Sequence, residues 1–135
     1  MWGLQGVTIN MNSPIKIFKV TVQLEKDEYG LEVSHWRLLV ETNRYYEIKA
    51  GSGPVKRIYK EKLNMVIEDT KVYTDGFLAC SAFCIEDRIE DMHTEMLHAL
   101  QLKIKAYMDE LHLNQQALEL QFNRPKPLRT EEQTS

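Results

Sequence analysis

The chain has two cysteines in 135 residues, four prolines, six glycines, no apolar run of membrane-spanning length and a net charge of only −3. Each shortage excludes something. Two cysteines cannot staple a small secreted fold. Cys80 and Cys84 sit in a strand-like run, and strand residues four apart stand about 13 Å from one another, beyond the roughly 7 Å that a disulfide spans. They read as reduced, buried thiols. Without the ~18 or more consecutive apolar residues that cross a bilayer, and without the basic start and sustained apolar stretch of a secretory leader, the expected setting is cytoplasmic, with no membrane partner. The small net charge argues against a protein that holds nucleic acid by charge alone, and against an acidic mimic of DNA. No internal repeat and no low-complexity domain is visible.

What the chain does have is a change of rhythm at Cys84 and Ile85. Upstream, apolar residues recur at every second position: Phe18, Val20, Val22 and Leu24 in a strand over 14–25, Trp36, Leu38 and Val40 over 33–42, and Tyr46, Ile48 and Ala50 over 45–50. Their links are too short for parallel crossovers, so they predict an antiparallel meander. Ile15 and Ile17 fall in the opposite phase, which suggests a bulge or a two-sided start to the strand. Segment 55–62 suits either a short helix or an edge strand. Segments 63–68 and 71–74 predict a hairpin or bent strand. Asp75-Gly76 is a turn signal, and 77–85 is apolar nearly throughout, as a strand buried on both faces would be.

Downstream, Ile89, Met92, Met96, Leu100, Ile104, Met108 and Leu111 recur every three or four residues, predicting one amphipathic helix over 86–112 whose stripe lies on the sheet. Glu86, Asp87, Glu90 and Asp91 open it and Lys103 and Lys105 stand towards its end, an order that suits the helix dipole. Leu118, Leu120 and Phe122 then alternate, so 117–123 reads as a last strand, with a second short helix from Asn114 as the rival. The expected class is α+β, an antiparallel sheet of five or six strands packed against one long amphipathic helix. Residues 1–12 read as a leader, 13–124 as a single domain and 125–135 as a disordered tail.

No motif carries recognisable chemistry. Cys80-x3-Cys84 lacks zinc-knuckle spacing, and His93 and His98 point about 140° apart on a helix. Asp91, Glu95 and His98 share a helix face as a solvated acidic patch or, less readily, a hard-metal site. Gly51-Ser52-Gly53-Pro54 before Lys56 and Arg57 matches no phosphate-binding loop. Ser34, His35 and Ser81 sit in no nucleophile elbow. No catalytic residue, metal or cofactor is assigned.

The leading expectation is a small non-enzymatic protein-binding module of accessory, regulatory or inhibitor type, in the style of bacterial or phage accessory proteins. It would engage another protein or itself as a homodimer. Leu97 and Leu102 at the margin of the helix would supply apolar contact, and Glu90 and Asp91 orientation. The alternative is nucleic-acid or nucleotide-phosphate binding through Lys56, Arg57, Tyr59, Lys60 and Lys62, where cations surround an aromatic ring. An enzyme of unidentified reaction is the third class.

Overall fold

The computed structural model describes residues 15–70 and 73–124. Six strands form one antiparallel sheet: β1 (Ile17–Glu25), β2 (Glu28–Glu41), β3 (Tyr45–Lys49), β4 (Val55–Tyr59), β5 (Met65–Glu68) and β6 (Phe77–Ile85). Their order is β4-β3-β2-β1-β6-β5. A 3-10 turn, Glu86–Arg88, leads into the helix α1, Ile89–Asn123. This is the expected α+β class, with six strands. By contacts the chain divides into two units, one ending at Leu100 and one beginning at Gln101.

The turns are encoded locally. Lys26 takes a left-handed φ of 56° between β1 and β2, and its amide donates to Gly76 O at 3.0 Å. Asp75 and Gly76 both have positive φ, 55° and 71°, the conformation that Asp-Gly favours in tight hairpins. Thr42 Oγ1 accepts from the amides of Arg44 and Tyr45 and closes the β2–β3 connection. Segment 55–62 resolves into edge strand β4 followed by a 3-10 turn, Lys60–Lys62.

Between Tyr59 and Met65 the chain must pass from one edge of the sheet to the other. Six residues reach at most about 20 Å, whereas the edges of a flat six-stranded sheet stand roughly 24 Å apart. The sheet therefore curls, and its concave side needs a filling. Ile17, Tyr46, Ile48, Ile58 and Phe83 form that core, with Trp36, Leu38 and Leu63 packed against it. Trp36 meets Phe83 edge-to-face, ring centroids 5.3 Å apart.

The other face carries the helix. Register places Phe18, Val20, Val22 and Leu24 beside Cys84, Ala82, Cys80 and Leu78. Most of these are buried, as are Met92, Met96 and Leu100 of α1, and Cys80 Sγ lies 3.9 Å from the Met96 carbonyl. Strand β6 is thus buried on both faces, as its composition predicts.

Three expectations are refined by the structure. Of the two readings of β1 the two-sided start holds and the bulge does not: its register with β2 is continuous, and Ile17 fills the concave core while Val20 and Val22 face the other way. The irregularity lies in β2, between Leu38 and Val40. Strand β2 also starts earlier than expected, at Glu28. Finally, 117–123 is neither a last strand nor a separate helix, because α1 runs unbroken through it for 35 residues. The expected leader, 1–12, and tail, 125–135, lie outside the described residues, as do Lys71 and Val72 of the predicted bent strand.

Candidate functional site: the exposed apolar length of the helix

The stripe predicted to lie on the sheet divides in two. Met92, Met96 and Leu100 are buried, but Ile104, Met108 and Leu111 are 38%, 62% and 65% exposed. The difference is one of position along the helix: Leu100 is the last buried residue of α1, and beyond it apolar side chains on every side of the helix are exposed.

From Gln101 to Asn123 every large apolar side chain apart from the half-buried Tyr107 is exposed: Leu102, Ile104, Met108, Leu111, Leu113, Leu118, Leu120 and Phe122, the last at 75%. In proteins most helical stability comes from packing an apolar face and not from propensity, yet this length of α1 buries none of these eight side chains. Local polar contacts add little: Lys105 pairs with Asp109 at 3.2 Å, Gln115 Nε2 donates to Glu119 at 3.4 Å, and Gln116 bonds to His112 at 3.2 Å. Such i, i+4 contacts contribute about 0.2–0.5 kcal/mol each.

The residues singled out from sequence are distributed as follows. Leu97 and Leu102 are 40% and 69% exposed but five positions apart, hence about 140° apart around α1. Glu90 and Asp91 are exposed in its first turn. Arg88 reaches Asp91 at 3.2 Å and Glu95 at 3.6 Å, so two members of the acidic patch already share a cation. His93 Nε2 hydrogen-bonds the Tyr29 hydroxyl.

The basic segment is split by the strand pleat. Arg57 and Tyr59 fall on one face of β4 with their partners Glu47 and Tyr45. Arg57 bonds Glu47 at 3.1 Å and stacks over Tyr45 at 4.0 Å. Lys56 belongs to the opposite face, its ammonium 5.8 Å from the Phe83 ring. Lys60 binds Glu41 at 2.8 Å and lies over Tyr46, and Lys62 stands in the 3-10 turn. The five do not form one surface, and two of the cations already hold carboxylates.

Groups with potential chemistry are engaged or separated. Burial pushes the Cys80 thiol up to about 11, helped by Asp69 and Glu68, and burial also raises Cys84, so neither is an activated nucleophile. Ser34 and His35 point to opposite faces of β2; the Ser34 hydroxyl accepts from Trp36 Nε1, and His35 packs against Phe18. Ser81 donates to Asp69. Two clefts of about 220 and 210 Å³, one lined by Asn43, Arg44, Tyr59, Lys60 and Glu61 and one by Ile15, Lys16, Ile85, Glu86 and Asp87, contain no nucleophile–base pair. Among the described residues no cluster of three or more metal-ligating side chains occurs, and no helix is long and apolar enough to cross a membrane.

Sequence reasoning named Leu102 but missed Ile104, Met108, Leu111, Leu118 and Phe122 as surface, assigning the first three to the core and the last two to a strand. A partial signal was present: Ile104, Met108, Leu111, Leu118 and Phe122 are spaced 4, 3, 7 and 4, and Gln101 and Gln115 occupy the remaining places of the three-and-four repeat of a helix that meets another helix. Comparisons with protein-family models, with curated proteins and with solved structures return no match.

Proposed function

We propose that this protein is a protein-binding module whose working surface is the exposed apolar length of α1 beyond Leu100. One observation carries the reading: an unbroken helix displays Ile104, Met108, Leu111, Leu118 and Phe122, each 38–75% exposed, where a helix of a self-sufficient domain would be polar. Covering these five side chains would contribute on the order of 5–10 kcal/mol on this chain's side. Association itself costs about 4–15 kcal/mol, so a stable complex requires a partner with an apolar face of comparable size. A long amphipathic helix is met either by an apolar groove or by another helix.

The double substitution Met108→Glu with Leu111→Glu tests the surface. The thermal transition of the sheet should stay within a few degrees of the parent, while association with any protein, self included, is lost in sedimentation. Loss of the folded sheet, or association that survives both charges, would refute the assignment.

A further inference from the structure

We infer that the partner is a second copy of this chain, paired through residues 101–122 as a parallel two-stranded coiled coil. This rests on the protein-binding reading and names its occupant. The repeat of three and four assigns Gln101, Met108, Gln115 and Phe122 to the a positions and Ile104, Leu111 and Leu118 to the d positions of three consecutive heptads. Five of these seven positions are apolar, and apolar side chains returning at seven-residue spacing suit a second helix that supercoils with this one.

The two glutamines specify which helix. In a parallel in-register pair, Gln101 faces Gln101 and Gln115 faces Gln115 of the other copy. Each primary amide carries both donor and acceptor, so each layer is self-complementary. The Gln115 amide, which donates to Glu119 within the chain, keeps its carbonyl oxygen to accept across the seam. An antiparallel pair in full overlap would set Gln101 against Leu118 and Gln115 against Ile104, leaving buried amides against aliphatic side chains. A foreign helix would have to supply polar side chains at the same two layers.

The flanking charges permit self-pairing. Beyond Leu100, which is buried on its own sheet, the g positions are Tyr107, Asn114 and Gln121, and the e positions facing the first two in a parallel pair are His112 and Glu119. No like-charged pair meets across the seam, which is the condition for tolerating an identical partner. Lys103, Asp109 and Glu110 occupy outward b and c positions.

The test uses the full chain. Sedimentation should give twice the chain mass. Leu111→Glu, at d, should weaken the dimer by about 100-fold or more, whereas Leu113→Glu, two residues on at an outward f position and 62% exposed, should leave it unchanged. Gln101→Cys should form a covalent dimer under mild oxidation, with Cys80 and Cys84 not competing because both are buried. A dimer indifferent to Leu111→Glu, or Gln101→Cys that stays uncrosslinked, would overturn the proposed pairing. A monomeric parent that still binds a different protein, and loses it on Leu111→Glu, would overturn self-pairing and leave the protein-binding reading intact. A monomer with no such partner would remove both.

Discussion

Met96→Asp should leave the protein without a cooperative unfolding transition. Met96 is fully buried on the α1 face that meets the sheet, with Cys80 Sγ 3.9 Å from its carbonyl. Losing a buried methionine side chain costs about 2–5 kcal/mol in packing alone. An unpaired carboxylate in the same space adds several more, or must take up a proton to stay there. Small domains have about 5–15 kcal/mol in all, so the two losses together exhaust it. Circular dichroism during heating should show a featureless slope in place of a sigmoid. A Met96→Asp protein that melts like its parent would mean that α1 does not pack on this face of the sheet.

Phe83→Ala should lower the stability of the folded unit by about 3–5 kcal/mol, through the opposite face. Phe83 is 3% exposed at the centre of the concave core and meets Trp36 edge-to-face. The Lys19 and Lys56 ammonium groups lie 5.6 and 5.8 Å from its ring. Truncation therefore opens a cavity and removes the ring face that both cations share. For a unit of this size the melting temperature should fall by more than about 10 °C. A shift below about 2 °C would indicate that the sheet is flat enough for solvent to reach this side, contrary to the curl that the short β4–β5 connection imposes.

These two substitutions mark what the sequence made legible and what it hid. The near-continuous apolar run of β6 announces burial on both faces, and Asp75-Gly76 announces its turn, because strand burial and turn conformation are local properties. Curling is not local. It follows from where β4 and β5 stand in the sheet, so Ile17, which fills the concave side, reads from sequence as either a bulge in β1 or a two-sided start. The basic segment 56–62 looks like one patch until the pleat sends Arg57 and Lys56 to opposite faces and Glu47 and Glu41 take up Arg57 and Lys60.

The helix was misjudged for a different reason. Met92, Met96, Leu100, Ile104 and Met108 follow one another at four-residue steps, and counted in a window they look like one stripe. Nothing in the sequence marks Leu100 as the last of them to be buried. Leu118, Leu120 and Phe122 fit both a two-residue period and a helix in which 118 and 122 share a side, an ambiguity inherent in short apolar runs. The uninterrupted hydrogen bonding of α1 to Asn123 resolves it.

Amide hydrogen exchange, resolved by residue and repeated across a dilution series, tests the central claim most directly. Helical amides over 104–122 have no core of their own to protect them, so under the proposed pairing their stability comes from association. Their protection should rise with protein concentration while that of β6 stays constant. Protection over 104–122 as deep as that of β6 and unchanged by dilution would show that the distal helix is stable unaided, and would contradict the account.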